Sequence, residues 1–199
     1  MIKRIEIILT AGIFLVTLSC SQDLPLNKDL TKKSYKLINQ DSTLVKFPEI
    51  ILGNITVMGF IYTHCPDICP MTTHNMYLTE MRLKKDNIED VKFVALSFDP
   101  ERDKPYVLEK FAEIRDIDFK NWTLITGEQS IIYDLLRRFD VRAVATDSVF
   151  YDDGEVSYSM MHTDRISLID KEGRLRKNYV GSRINIDELI KDIKYLGEY

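Results

Sequence analysis

The chain of 199 residues is long enough for one domain or two small ones. With 45% hydrophobic and 29% charged residues it has a globular composition, which excludes wholesale disorder, a collagen-like repeat and a polytopic membrane protein. The 27 Lys and Arg residues against 31 Asp and Glu residues give a net charge of −4, so bulk charge does not favour nucleic-acid binding.

The first residues have the pattern of an export signal. Two basic residues precede an apolar stretch, 7–18, which is as long as the hydrophobic part of a signal peptide and short for a membrane-spanning helix. A segment similar to a bacterial lipobox follows and ends on Cys20, although Thr17 stands where leucine is commonest. The sequence therefore predicts a lipoprotein signal peptide at 1–19, cleaved before a lipidated Cys20. The alternatives are a plain signal peptide or a short anchor helix.

Export and cleavage would leave an extracytoplasmic protein with two cysteine thiols. Of the three cysteines, only Cys65 and Cys69 would keep their thiols, because Cys20 would carry the lipid. Outside the cytoplasm such a pair is suited to redox or metal chemistry. The polar residues 20–43 predict a tether to the membrane, on its periplasmic face if the cell is Gram-negative. A single domain is predicted over 44–199.

The domain alternates predicted strands and helices. Apolar runs rich in β-branched residues predict buried strands at 55–62, 91–98 and 122–125. Helical patterns follow each of them, at 70–85, 104–115 and 128–139. Two hairpins and a last helix are then predicted, at 142–160, 166–180 and 185–196. This order predicts an α/β fold with a mixed central sheet, flanking helices and an inserted β-hairpin near 142–160, and it resembles the order of a thioredoxin-like fold.

The first predicted helix has an apolar stripe in its sequence. Met71, His74, Leu78 and Met81 recur at steps of three or four residues, the spacing of one helix face. We therefore expect this face to be buried, with His74 a hydrogen-bonded core histidine rather than a ligand.

The strongest chemical signal is the segment THCPDICP at 63–70, between the first buried strand and this helix. Ligands bind at the carboxyl ends of strands in open α/β sheets, and a helix N-terminus favours thiolate over thiol. Cys65 and Cys69 are three residues apart, whereas dithiol oxidoreductases usually have two intervening residues. This spacing allows the sulfurs to form a disulfide or to bind one ion. As a structural disulfide the pair would add little stability, since the loop is short.

A third side chain near the two cysteines would distinguish a metal site from a disulfide. Thiolates with an imidazole suit Cu(I), and His162 precedes the strand predicted at 166–169. In thioredoxin-like proteins the loop entering this strand faces the cysteines and normally carries a cis-proline. All six prolines here lie at or before Pro105. The missing proline argues against ordinary thiol–disulfide exchange.

Together these motifs are similar to those of the Sco (SenC-type) copper-binding protein family. The resemblance rests on residues 63–70, on SFDPERD at 97–103, and on His162 ahead of ISLID at 166–170 and Gly173. Their order and spacing cover nearly all of the predicted domain.

The resemblance implies a membrane-tethered copper chaperone rather than an enzyme. Cys65, Cys69 and His162 match the copper ligands of the family; the metal is expected as Cu(I), with Cu(II) left open. Family members deliver copper to, or keep reduced, the dinuclear copper centre of cytochrome c oxidase. The implied partner is therefore the copper-acceptor subunit of a terminal oxidase or another cuproprotein. Many relatives use a transmembrane anchor, whereas this chain is predicted to be lipidated.

Several acidic residues lie near these motifs. Asp67, between the cysteines, is expected to contact a partner or to hold its loop by a local hydrogen bond. Asp99 ends the second buried strand and is expected to support the cysteine loop. Glu101 and Asp103 are expected to be solvated.

Other functions remain open from the sequence. An extracytoplasmic thiol–disulfide oxidoreductase would reduce partner cysteines without needing His162. A thiol peroxidase would place Thr63 and Arg165 beside one reactive cysteine. A structural zinc site is disfavoured because zinc takes four protein ligands and only three are expected to converge.

Overall fold

The computed structural model describes residues 24–66, 68–150 and 156–198. The predicted signal peptide, Cys20, Asp67 and positions 151–155 of the hairpin predicted at 142–160 lie outside these residues. Within the described ranges, no helix combines the length and the apolar character needed to cross a membrane.

Ten strands and four α-helices make up the described fold. The strands are β1 Lys28–Asp29, β2 Tyr35–Asn39, β3 Leu44–Phe47, β4 Ile55–Ile61, β5 Val91–Ser97, β6 Trp122–Thr126, β7 Ala143–Phe150, β8 Val156–His162, β9 Ile166–Ile169 and β10 Arg174–Tyr179. The helices are α1 Ile68–Lys85, α2 Pro105–Glu113, α3 Gln129–Arg138 and α4 Ile186–Gly197.

Eight of the strands form one mixed sheet in the order β1-β10-β9-β4-β5-β6-β2-β3. At its centre β4, β5 and β6 run parallel, and β9 lies antiparallel to β4. All seven residues of β4 are buried, as expected of a strand covered on both faces. The remaining two strands, β7 and β8, form a separate two-stranded sheet within the part of the chain that the structure describes. This architecture confirms the predicted mixed sheet, flanking helices and inserted hairpin.

Helix α1 begins two residues earlier than predicted. The prediction placed its start at Pro70, because proline has no N–H group to donate. The helix instead starts at Ile68, so that Pro70 falls in the first turn. Proline is tolerated there, since the first N–H groups of a helix have no intrahelical partner.

The sheet also takes in residues that the sequence assigned to the tether at 20–43. Strand β2 lies between β6 and β3, and β1 pairs with β10. Leu30, Tyr35 and Leu37 are buried in the core. The fold therefore extends towards the N-terminus well beyond the boundary predicted at residue 44.

The prediction of which face of α1 is buried was wrong. Met71, Leu78 and Met81 are 38–46% exposed, and His74 is exposed as well. The helix instead turns a face rich in threonine towards the sheet, and the buried residues are Cys69, Thr72, Thr73, Met76, Thr79, Glu80 and Leu83.

Hydrogen bonds within the helix make this polar face compatible with burial. The hydroxyl of Thr73 donates to the Cys69 carbonyl oxygen at 2.9 Å, and the hydroxyl of Thr79 donates to the Asn75 carbonyl oxygen at 2.8 Å. Gly59 of β4 lets the helix approach closely, because a Cβ atom there would lie 2.4 Å from the Met76 sulfur. The first turn of α1 lies against the end of β4, where the N–H of Tyr62 donates to Cys69 Sγ.

Candidate metal centre

Three potential metal ligands converge at the carboxyl end of β4. Cys65 lies in the loop after β4, Cys69 in the first turn of α1, and His162 at the end of β8. Their ligand atoms all lie within 4.8 Å of one another, and the Cys69 Sγ is 3.7 Å from the His162 Nε2. Both cysteines are buried thiols. The structure thus brings together the three residues that the sequence singled out.

Backbone donors orient the two sulfurs. The N–H of Tyr62 donates to Cys69 Sγ, and the N–H of Cys69 donates to Cys65 Sγ, each at 3.4 Å. The hydrogen bond with Cys65 and the burial of the side chain both raise the pKa of the Cys69 thiol above its ordinary value. Without a metal this thiol therefore keeps its proton, and a soft cation that binds it must displace that proton.

The imidazole of His162 is held in a defined orientation. Its Nδ1 lies 3.2 Å from the Thr163 carbonyl oxygen. With Nδ1 donating to this carbonyl, Nε2 presents its lone pair towards Cys69, the arrangement of a metal-binding histidine. The ring also packs against Phe98 and Tyr62, at centroid distances of 4.6 and 6.0 Å.

A buried carboxylate supports the cysteine loop. Asp103 is fully buried and accepts hydrogen bonds from the Thr63 N–H at 3.0 Å, the Thr63 hydroxyl at 2.6 Å and the Ser97 hydroxyl at 2.6 Å. Burial raises the pKa of Asp103. The expectation that Asp103 is solvated was wrong. The sequence did carry a signal for this cluster. Thr63 follows the predicted strand at 55–62 and Ser97 lies at the end of the one at 91–98, and the carboxyl ends of parallel strands meet at one edge of a sheet.

Asp99, which was expected to support the cysteine loop, instead contacts the strand that carries His162. It is buried and accepts hydrogen bonds from the Tyr158 hydroxyl and from Arg102 Nε, both at 2.5 Å. Tyr158 belongs to β8, the strand that carries His162. Sequence reasoning did not find Tyr158 or Arg102, because their contact joins segments 56 residues apart.

The residues that a thiol peroxidase would place beside a reactive cysteine have other hydrogen-bond partners. Arg165 donates to the carbonyl oxygens of Phe139 and Asp140, and the Thr63 hydroxyl donates to Asp103. These contacts do not form the arrangement that a thiol peroxidase would require. His64 is exposed beside the Thr63 hydroxyl.

The profile of the SCO1/SenC family matches residues 25–198. The chain belongs to the SCO1/SenC family. The match spans the sheet, the hairpin and all three converging side chains.

Solved structures support the assignment. A SCO1/SenC family lipoprotein from Bacillus anthracis shares 30% identity with a TM-score of 0.72, covering 86% of this chain and 96% of that one. BsSco, a member of the Sco family of cytochrome c oxidase assembly proteins in which a disulfide switch was identified, shares 32% identity with a TM-score of 0.70, covering 88% and 98%. ScoI from Bradyrhizobium japonicum, solved with copper bound, shares 27% identity with a TM-score of 0.67, covering 82% and 98%. The predicted thioredoxin-like fold is thereby confirmed.

Proposed function

We propose that this chain is a copper chaperone that binds one copper ion, principally Cu(I), through Cys65, Cys69 and His162. The observation that carries the proposal is the convergence of two thiols and one imidazole Nε2 within 4.8 Å. Two soft sulfur ligands with an imidazole are the donor set that favours Cu(I). Copper bound to ScoI, a relative with the same fold, supports the choice of metal.

A copper ion held by only three ligands can be transferred to a partner protein. Two thiolates and a neutral imidazole around Cu(I) give a centre with a net charge of −1, and three ligands leave room for a ligand of the acceptor. We propose that the acceptor is the copper-binding subunit of cytochrome c oxidase or another cuproprotein, in line with the assembly role described for BsSco.

The same cysteines can couple copper loading to redox state. Oxidation of the two thiols forms one S–S bond and releases two protons and two electrons to an acceptor dithiol–disulfide couple. The disulfide removes both sulfur ligands, so the oxidised chain would release copper. The disulfide switch identified in BsSco supports this coupling.

An anaerobic titration with Cu(I) tests the ligand set. The reduced full chain in detergent should retain one equivalent against a chromogenic Cu(I) chelator. Cys65→Ser should lose it, and His162→Ala should bind at least about tenfold more weakly. His74→Ala is the matched control, because it removes an exposed imidazole that lies outside the centre. A wild-type chain that fails to compete with the chelator, or a His162→Ala variant with wild-type affinity, would rule out the three-ligand site.

Thiol–disulfide exchange is the second candidate function, favoured by the hydrogen bond between the Cys69 N–H and Cys65 Sγ. It makes a different prediction for His162. An oxidoreductase should reduce a partner disulfide at the wild-type rate when His162 is replaced by alanine, while Cys65→Ser should be inactive. Full exchange activity in His162→Ala, together with absent copper retention in the wild type, would favour this function.

We also propose that Cys20 carries a lipid and holds the protein at a membrane outside the cytoplasm. The lipobox-like segment before Cys20 and the Bacillus anthracis lipoprotein support this anchor. Cys20→Ser should lose labelling by radioactive palmitate and leave the membrane fraction. Unchanged labelling of that variant would exclude Cys20 as the lipid site.

A further inference from the structure

The strand that carries His162 is held by a compact cluster of three side chains. Tyr158 of β8 donates its hydroxyl proton to Asp99 Oδ1 at 2.5 Å. Arg102 donates from Nε to Asp99 Oδ2 at 2.5 Å and from Nη1 to the Tyr158 carbonyl oxygen at 3.1 Å. The Arg102 guanidinium also lies over the Tyr158 ring, 3.5 Å from its centroid. We call these residues the Tyr158 cluster.

The cluster is well shielded from water. The Asp99 side chain is 3% exposed and the Arg102 side chain 20%. Burial and the hydrogen bond to Asp99 raise the pKa of Tyr158, so its hydroxyl remains a donor at physiological pH. Hydrogen bonds between charged and polar groups are stronger at such a site than at an exposed one.

Strand β8 depends on side-chain contacts for its placement. Within the described residues it pairs with β7, and neither strand joins the central sheet. The base of the hairpin is closed by hydrogen bonds between Arg142 and Thr163, which join its two arms to each other. The Tyr158 cluster is instead a direct link between β8 and the loop that follows β5.

The loop after β5 contacts both halves of the metal centre. Asp103 at its end holds Thr63, two residues before Cys65, whereas Asp99 and Arg102 hold the strand of His162. One segment of seven residues, 97–103, therefore fixes the cysteine loop and the histidine strand relative to each other.

We propose that Tyr158, Asp99 and Arg102 are positioning residues that set the imidazole of His162 against the two cysteine sulfurs. The inference rests on the proposed copper-binding function and adds to it the residues that determine how firmly copper is held. Loss of the Tyr158 hydroxyl bond lets β8 move away from the loop after β5, and the His162 Nε2 leaves its position 3.7 Å from Cys69 Sγ. Copper then keeps its sulfur ligands but loses part of its binding to the imidazole.

Tyr158→Phe is the sharpest test, because it removes the hydroxyl and keeps the ring that stacks on Arg102. Tyr35→Phe is a matched control: its hydroxyl also donates to a carboxylate, Asp134 at 2.8 Å, but it joins β2 to α3. In the chelator competition with Cu(I) on the full chain in detergent, Tyr158→Phe should bind about tenfold more weakly, as is typical when the partner that orients a ligand is lost. Tyr35→Phe should bind as the wild type does.

A second background separates positioning from a general loss of structure. When His162 is already alanine, adding Tyr158→Phe should weaken copper binding no further, because the imidazole through which Tyr158 acts is absent. An equal additional loss in that background would overturn the inference, as would wild-type affinity in Tyr158→Phe or an equal loss in Tyr35→Phe. A wild-type chain that fails to bind Cu(I) would instead refute the proposed function on which the inference rests.

Discussion

At the residue scale, the metal centre is supported by two buried aspartates with different tasks. Asp103 binds the cysteine loop and Asp99 binds the strand of His162. The ligands themselves could be predicted from the sequence, because cysteine and histidine are scarce and their chemistry is specific. The roles of the aspartates could not, because acidic residues are common and burial depends on donors supplied from distant segments.

Replacing Asp103 by alanine should destabilise the fold strongly. The change removes the acceptor of the buried Ser97 hydroxyl and of the partly buried Thr63 N–H and hydroxyl, and an unsatisfied buried donor costs about 1–3 kcal/mol. Because the loop can relax, we expect a loss of about 3 kcal/mol in the free energy of unfolding, measured by urea denaturation. Glu101→Ala, an exposed neighbour, should change it by less than about 0.5 kcal/mol. Equal stabilities for the two variants would contradict the role given to Asp103.

At the scale of the element, α1 shows how a hydrophobic pattern can select the wrong face. The stripe formed by Met71, Leu78 and Met81 has helical spacing, yet it faces away from the sheet. The hydroxyls of Thr73 and Thr79 on the buried face donate to carbonyl oxygens within the helix, and the hydroxyl of Thr72 donates to Asp164, so these three donors are paired on burial. Periodicity could therefore predict that a helix exists here. Its orientation depends on tertiary packing, in which the Met76 side chain fits into the space left by the missing side chain of Gly59.

Substitutions at Leu78 and Met76, which lie on opposite faces of α1 by their exposure, give a direct test of this orientation. Leu78→Gln, at an exposed position, should change the free energy of unfolding by less than about 0.5 kcal/mol. Met76→Gln should lower it by about 2–3 kcal/mol, because a polar amide would be buried beside Gly59 with no partner supplied by the wild-type packing. Urea denaturation of both variants measures the difference. The opposite ranking would mean that the predicted stripe, and not the threonine face, packs on the sheet.

At the scale of the whole molecule, the alternation of strands and helices predicted the central fold well but missed its N-terminal edge. The segment before residue 44 is rich in polar residues and has the composition of a tether. Its strands are short, and β2 buries only alternate side chains, Tyr35 and Leu37, on either side of the exposed Lys36. These strands gain their stability from pairing with other strands, β2 with β6 and β3 and β1 with β10, which no local pattern reveals.

Truncation at the predicted boundary should therefore prevent stable folding. A chain that begins at residue 44 lacks Leu30, Tyr35 and Leu37, each of which contributes about 1.5–3 kcal/mol when fully buried. It also leaves β3 without its partner β2 and exposes the edge of β6. The combined loss is comparable to the total stability of about 5–15 kcal/mol that is usual for a domain.

The control for this truncation is a chain that begins at residue 24 and keeps all ten strands. In thermal melts followed by circular dichroism, the 24–199 chain should unfold cooperatively, whereas the 44–199 chain should show no cooperative transition. The metal centre should form only when the domain is folded, because β6 and the strands beside it support the loops that carry Thr63 and Asp103. Only the longer chain should therefore retain Cu(I) against the chelator. A 44–199 chain with an unchanged melting temperature would show that the N-terminal strands are dispensable and that the boundary at residue 44 is right.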